Sequence, residues 1–138
     1  MSGCHVSCWD VRIYYEDTDA GGVVYHANYL RYMERGRTEA LRYLGFEQRK
    51  LKEEDGVVFA LTHTDIHYRR PAMLDDLLTI RTELILVRGA TMVFKQSVYR
   101  EDELLVDADV TLACINAAGR PKRIPQAMLR RIGEELKV

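Results

Sequence analysis

Residues 14–29, with the sequence YYEDTDAGGVVYHANY, constrain this chain of 138 residues more than any other stretch. Carboxylates, two adjacent glycines and a small polar pair meet there, between a predicted strand and a long helical pattern. Glycine lets a ligand approach the backbone closely, and the first N–H groups of a helix have no intrahelical partner. A carboxylate held near such N–H groups can attack a carbonyl carbon or deprotonate a water molecule. The stretch therefore predicts either a site for carbonyl chemistry or a capped turn shaped by its aspartates and glycines.

Three short pairs carry a family resemblance. Arg12-Ile13, Thr18-Asp19 and Gly22-Val23 together resemble the active-site signature of the 4-hydroxybenzoyl-CoA thioesterase family. The run 14–27 is most similar to one branch, the bacterial acyl-CoA thioesterases associated with the Tol–Pal system and typified by YbgC. Further matches are Glu34-Arg35, Arg37-Thr38-Glu39, Leu74-Asp75-Asp76 and Arg88-Gly89. The resemblance extends over residues 9–125.

The resemblance implies an activity and assigns roles to individual residues. Asp19 takes the position of the family's catalytic carboxylate, acting as a nucleophile or as a general base. The backbone N–H of His26 would face the thioester oxygen at the helix N-terminus, where the helix dipole stabilises developing negative charge. The residues expected to bind substrate are Gly22, Val23, Tyr25 and Arg88. The implied reaction is hydrolysis of acyl-CoA thioesters to free acid and CoA, without metal or other cofactor.

Several other charged residues have weaker predicted roles. Glu16 and Asp17 are expected to orient the turn through hydrogen bonds to backbone N–H groups. Glu34 is a candidate second acid near the site. The remaining candidates for binding CoA phosphates through charge-assisted hydrogen bonds are Arg69, Arg70, Arg120, Lys122 and Arg123. Ordinary solubilising surface charge is the competing interpretation for each of these cations.

Alternation and helical spacing predict five strands and a long helix. The predicted strands are 9–16, 57–69, 77–87, 91–99 and 104–116, and the predicted helices are 29–44, 46–54 and 126–137. Asn28 is expected to cap the long helix, Gly45 to end it, and Gly36 to mark close packing against a strand. This order predicts an α+β protein with a five-stranded antiparallel sheet. The resemblance implies a single hotdog domain over residues 1–138, in which the sheet wraps the long helix and residues 1–8 form a flexible tail.

Two sets of residues could form a metal site. One face of the strand 57–69 is predicted to carry Val57, Phe59, Leu61, His63, Asp65 and His67. Its histidines and aspartate could bind zinc, but a solvated sheet face or subunit contact is the favoured interpretation. A second set at Cys4, His5 and Cys8 lacks an evident fourth ligand.

The amino-acid composition and net charge restrict the possible binding partners and the cellular compartment of the protein. The net charge of −1 argues against a nucleic-acid footprint, which would be basic overall. No apolar run reaches the length of about 20 residues that spans a bilayer, and the first residues do not resemble a secretory signal. Three cysteines in such a chain predict reduced thiols and a cytoplasmic protein. Peripheral association with the inner membrane is an alternative that the resemblance leaves open.

Exposed sheet edges must be covered or paired, so the fold predicts a homo-oligomer, either a dimer or a tetramer. The branch resemblance adds acyl carrier protein as an alternative to CoA. Two other functions remain open for this sequence. One is a hydratase or dehydratase that uses His26 with a carboxylate, and the other is a non-catalytic module that binds acyl thioesters or acyl carrier protein.

Overall fold

A computed structural model of the protein describes residues 5–136. The strands are β1 His5–Arg12, β2 Val58–Tyr68, β3 Leu77–Arg88, β4 Thr91–Arg100 and β5 Glu103–Ile115. The helices are α1 Asn28–Tyr43, α2 Gln48–Lys50 and α3 Gln126–Leu136. All strand pairs are antiparallel, in the order β1-β3-β4-β5-β2, so β1 and β2 form the two edges. The predicted α+β class, with a five-stranded antiparallel sheet and a long helix, is confirmed.

The first strand lies further towards the N-terminus than predicted. It pairs with β3 from His5 to Arg12, so residues 5–8 are strand and not tail. The predicted strand end at residue 16 is wrong, because the chain bends into a 3₁₀ turn at Tyr15–Asp17. The Asp17 carboxylate stabilises this turn by accepting a 2.8 Å hydrogen bond from the Tyr14 N–H. Residues 1–4 of the proposed tail, which include Cys4, lie outside the described residues.

Helix α1 packs one face against the sheet through an unusually close contact at Gly36. A Cβ atom added there would lie 2.8 Å from Thr82 Oγ1 and 2.9 Å from Ile80 Cγ2, both on β3. The close packing predicted for Gly36 is therefore confirmed. Gly45 also ends the helix as predicted, because its φ of 98° suits glycine better than other residues.

We expect Gly36→Ala to lower the free energy of unfolding by about 1–3 kcal/mol, because the added methyl group overpacks the helix–sheet contact. Gly133→Ala in α3 is the matched control, since nothing lies within 4 Å of its added Cβ. That substitution should raise stability by about 0.5–1 kcal/mol through helix propensity. Denaturant unfolding of both variants measures the difference, and equal effects would contradict the contact.

A buried polar cluster ties α1 to β4. Arg37 is only 8% exposed, and its Nη1 donates a 2.9 Å hydrogen bond to Gln96 Oε1. Gln96 Nε2 donates in turn to the Met33 carbonyl at 2.9 Å and to Thr82 Oγ1 at 2.8 Å. Burial lowers the pKa of Arg37 from its usual value, and the nearby Glu34 carboxylate opposes that shift. The cluster fixes the position of α1 on the sheet. Each of its polar groups is buried, so breaking one of these hydrogen bonds would leave a polar group unpaired at a high cost in free energy.

A β-bulge at Thr62 divides β2 into two halves. Leu61 pairs with Leu112 whereas His63 pairs with Thr111, so Thr62 is an extra residue on β2. Before the bulge, Phe59 and Leu61 face α1. After it, the residues on the α1 side are Thr64, Ile66 and Tyr68, which pair with Val110, Ala108 and Val106.

The bulge corrects the predicted facing of β2. The sequence alternation placed His63 on the same face as Leu61, but the extra residue reverses the parity after Leu61. His63, Asp65 and His67 therefore point to the outer face of the sheet, away from α1. No helix within residues 5–136 is long and apolar enough to cross a membrane.

Candidate active site

The carboxylate of Asp19 lies at the tip of a small hairpin between β1 and α1. Thr18 bridges Val24, and the Asp19 N–H donates to the Val23 carbonyl at 2.9 Å. The Gly22 N–H closes the tip by donating to the Asp19 carbonyl at 3.0 Å, and Gly22 has a φ of 82° that favours glycine. The tip thus holds an exposed carboxylate on a hydrogen-bonded frame.

One oxygen of the Asp19 carboxylate also orients the loop. Its Oδ1 accepts a 2.8 Å hydrogen bond from the Gly21 N–H, and its second oxygen accepts no hydrogen bond from residues 5–136. Val23 anchors the hairpin to the rest of the fold by bridging Met73, just before β3. Glu16 makes no comparable bond among the described residues, so the predicted orienting role of Glu16 finds no support while that of Asp17 does.

The N-terminus of α1 presents free backbone donors. The N–H groups of Asn28, Tyr29 and Leu30 donate to the carbonyls three residues earlier, at 2.9, 3.3 and 3.2 Å. The N–H groups of His26 and Ala27 have no hydrogen-bond acceptor among residues 5–136. Helix dipole and unpaired donors together make this end of α1 attractive to developing negative charge.

Asn28 has a different role from the predicted one. It is the first residue of α1 and not its N-cap, which is Ala27 and has no capping side chain. The Asn28 side chain instead turns back, and its Nδ2 donates to the Asp17 carbonyl at 2.9 Å. An asparagine just before a helical pattern can cap the helix or bond to a preceding turn. The sequence alone therefore does not indicate the observed bond to Asp17.

A cleft of about 250 Å³ opens beside the free N–H groups. Its lining residues are Val24, His26, Tyr29, Tyr68, Arg69, Arg70 and Pro71. The Tyr29 hydroxyl accepts a 3.1 Å hydrogen bond from the Ala72 N–H, and burial raises the pKa of Tyr29, so this hydroxyl stays neutral. Tyr68 reaches from β2 and donates to the His26 carbonyl at 3.4 Å. Sequence reasoning missed Tyr68.

Tyr25 lies at the surface next to this cleft. It is 47% exposed, its ring centroid lies 4.6 Å from that of His26, and its N–H donates to the Asp17 carbonyl at 2.9 Å. The His26 imidazole is paired with no carboxylate in the described part of the chain.

A second cleft of about 260 Å³ continues along the groove between α1 and β2. Its walls are mostly apolar, formed by Leu30, Leu41, Phe59, Leu61 and Leu112, with Glu34, Arg37, Thr38 and Gln48 completing the lining. Glu34 accepts a 2.8 Å hydrogen bond from the Thr38 hydroxyl and does not line the cleft beside His26. The proposed second acid is thus separated from the free N–H groups along the groove.

Arg88 lies far from Asp19 within one chain. The start of β3 is tied to the site region, because the Asp75 N–H donates to the Ile13 carbonyl at 3.0 Å. Arg88 ends the same 12-residue strand, roughly 35 Å away at strand spacing. A single chain therefore does not bring Arg88 to the Asp19 end of the sheet.

The other predicted phosphate-binding cations near the cleft are already paired. Arg69 donates to Asp107 at 2.7 and 3.2 Å, and this contact holds the pKa of the Asp107 carboxyl below its usual value. Arg70 lies 3.1 Å from a Glu103 oxygen. Both are surface pairs that a ligand could exchange at low cost.

The outer face of β2 carries the polar alternation noted in the sequence. His67 Nε2 lies 3.4 Å from Asp65 Oδ1, and both side chains are well exposed. Within residues 5–136 no group of three His, Cys, Asp or Glu side chains is arranged to hold a metal ion. Cys8 and Cys114 are free thiols, one exposed and one buried.

Known proteins share this arrangement of hairpin, helix and sheet. A family model described as the thioesterase-like superfamily matches residues 13–132. The chain belongs to this superfamily. The acyl-CoA thioesterase YbgC of Haemophilus influenzae is 51% identical to it over 106 residues, which make up 77% of this chain and 78% of that protein. The acyl-CoA thioester hydrolase YbgC of Escherichia coli is 44% identical over 123 residues, covering 88% and 91% of the two chains.

A solved structure from the superfamily agrees with the fold. The crystal structure of a probable thioesterase from Bartonella henselae superposes with a TM-score of 0.85 at 40% identity, covering 88% of this chain and all of that one. The family resemblance inferred from the sequence and the predicted hotdog fold are both confirmed.

Proposed function

We propose that this protein hydrolyses acyl-CoA thioesters to a free acid and CoA. One observation carries the proposal: a hydrogen-bonded hairpin joins an exposed carboxylate, Asp19, to the unpaired N–H of His26 at a helix N-terminus. These are the two groups that acyl transfer to water requires, a nucleophile or base and a donor to the oxyanion. The relatives named as acyl-CoA thioesterases support the substrate class.

The geometry supports a short reaction sequence. The thioester carbonyl oxygen accepts a hydrogen bond from the His26 N–H, which strengthens as the oxygen gains negative charge. In one route Asp19 attacks the carbonyl carbon, the C–S bond breaks, CoA thiolate leaves, and water then hydrolyses the acyl–aspartate anhydride. In the other route Asp19 takes a proton from water, the hydroxide attacks, and the proton passes to the departing sulfur.

The groove between α1 and β2 is the proposed acyl site. It begins at the cleft beside His26 and continues to the apolar cleft lined by Leu30 and Leu61. Gly22 and Val23 would hold the backbone of the hairpin close to the thioester, and Tyr25 would cover its outer side. Acyl carrier protein is a second proposed carrier, because the same thioester can be presented on either.

We further propose that two copies pair through the β2 edge to form the active unit. Leu61 on β2 and Leu30 on α1 are 49% and 39% exposed, so one chain leaves the groove open on its apolar side. Antiparallel pairing of two β2 strands would cover that side and continue the sheet. It would also bring the Arg88 end of one subunit to the Asp19 end of its partner, where Arg88 could bind CoA phosphates. Further pairing of dimers would give a tetramer.

A subunit-mixing experiment tests this shared site. Asp19→Asn and Arg88→Glu homodimers should each have low hydrolytic activity at low acyl-CoA concentration, because every site in them carries one defect. In mixed dimers one site carries both defects and the other carries neither. Random mixing should therefore restore about a quarter of the wild-type site number. Activity that stays at the average of the two parents would contradict a site shared between subunits.

The function itself is tested by a panel of acyl-CoA thioesters from short to long chains, including an aromatic acid. Loss of thioester absorbance should report turnover on at least one member of the panel. This readout avoids thiol-reactive dyes, which the exposed Cys8 would also consume. Ligand binding without turnover of any ester would instead identify the protein as a non-catalytic binding module.

A further inference from the structure

Asn28 connects the two halves of the candidate site. Its side-chain Nδ2 donates to the Asp17 carbonyl at 2.9 Å, and its own N–H donates to the Tyr25 carbonyl at 2.9 Å. The same Asp17 carbonyl accepts the Tyr25 N–H at 2.9 Å. Asn28 is only 9% exposed, so these bonds are shielded from competing water.

The positions of the bonded residues are informative. Asp17 lies two residues before Asp19, and Asn28 lies two residues after His26. The bond between them therefore closes the segment that contains both proposed reacting groups. The Tyr25 N–H, and the Tyr32 side chain that faces the Asp17 carboxylate, also link the turn to this segment.

We infer that Asn28 is a positioning residue that sets the placement of the Asp19 carboxylate relative to the His26 N–H. This inference rests on the proposed thioesterase function. A carboxylate and an oxyanion donor must meet the same carbonyl group from fixed directions, and a shift of about 1 Å can cost about 100-fold in rate. Asn28 lines neither the cleft beside His26 nor the apolar cleft between α1 and β2, so it acts through the backbone at Asp17.

Two substitutions test the role. Asn28→Ala removes the donor, and Asn28→Asp keeps the shape but directs a carboxylate oxygen at the Asp17 carbonyl. In both variants kcat should fall by about 100-fold while KM stays within about twofold of wild type. A protonated carboxyl at position 28 can donate again. The kcat of Asn28→Asp relative to wild type should therefore rise as the pH is lowered from 8 to about 5, whereas that of Asn28→Ala should stay flat.

Expressing each rate as a ratio to wild type at the same pH removes the titration of the groups that both proteins share. The titratable and charged side chains on the elements packed at this point are those of Asp17, Asp19, Tyr25, His26, Tyr32 and Arg35. Leu84→Ala is the control for lost stability, because Leu84 is buried in β3 and is not part of the site. Its melting temperature should fall with kcat unchanged.

An Asn28→Asp ratio that does not rise on acidification, or a wild-type kcat in Asn28→Ala, would overturn the positioning role. A proportional loss of kcat in Leu84→Ala would also overturn it, since lost stability would then explain both effects. Failure of the proposed function is separate, because it would appear as wild-type protein that hydrolyses no member of the acyl-CoA panel, a result that involves no change at Asn28.

Discussion

Asp19→Asn should lower kcat by at least about 1,000-fold with little change in the melting temperature. The amide cannot attack the thioester carbon or accept a proton from water, so both proposed routes are lost. The fold should survive, because an amide Oδ1 can still accept the 2.8 Å hydrogen bond from the Gly21 N–H. Steady-state hydrolysis of the best acyl-CoA from the panel, with circular dichroism of both proteins, measures the two effects.

Glu16→Gln is the matched control for this substitution. It makes the same carboxylate-to-amide change three residues earlier, at an exposed side chain without a hydrogen bond in the described structure. Its turnover should stay within about twofold of wild type, as for most surface substitutions away from a site. Near-wild-type hydrolysis by Asp19→Asn would remove Asp19 from the mechanism.

Leu61→Lys should convert the active dimer into a folded monomer and lower turnover by at least about 100-fold. Leu61 is 49% exposed in the single chain, so a lysine there should barely change the stability of the monomer. In the proposed dimer the same charge would be buried against the partner without a counter-ion, which is strongly unfavourable. Sedimentation and turnover, measured on one preparation, report assembly and function together.

Ile85→Lys provides the comparison for the assembly prediction. Ile85 is 43% exposed on β3, so the chemical change and the exposure are similar, but it does not lie on the β2 edge. This variant should remain at least dimeric and active. Leu61→Lys that stays dimeric, or that is monomeric and fully active, would contradict pairing through β2 as a condition for activity.

Local patterns predicted much of this fold. Over most of β3, β4 and β5, buried side chains alternate with more accessible ones, so the approximate bounds of these strands follow from the sequence. The turn at residues 19–22 also follows from the sequence, because an aspartate followed by adjacent glycines is typical of turns. Gly36 was informative for a similar reason, since a glycine inside a helix is costly unless something packs against it.

The errors arose where a side chain or a single residue overrode the local pattern. The Asp17 carboxylate bends the chain where alternation predicted strand. Arg37 is a charged residue on α1, yet it is buried because Gln96, 59 residues away, supplies an acceptor. The distance between Asp19 and Arg88 also depends on strand pairing, which no local motif encodes.

Because Thr62 is an extra residue, the two halves of β2 face α1 with residues of opposite sequence parity, which strict alternation would not allow. Upstream of it, Phe59 and Leu61 keep the groove apolar, and downstream Ile66 and Tyr68 do the same from the opposite parity of the sequence. A related chain that lacked Thr62 would keep both halves of this lining, because Leu61 and His63 would then follow each other in a regular ladder opposite Leu112 and Thr111. If Thr62 instead took a paired position in the ladder, His63, Asp65 and His67 would enter the groove and Tyr68 would leave it. A one-residue change of register in this half of β2 is therefore equivalent to exchanging its whole lining of the groove, whereas loss of Thr62 alone would change that lining little.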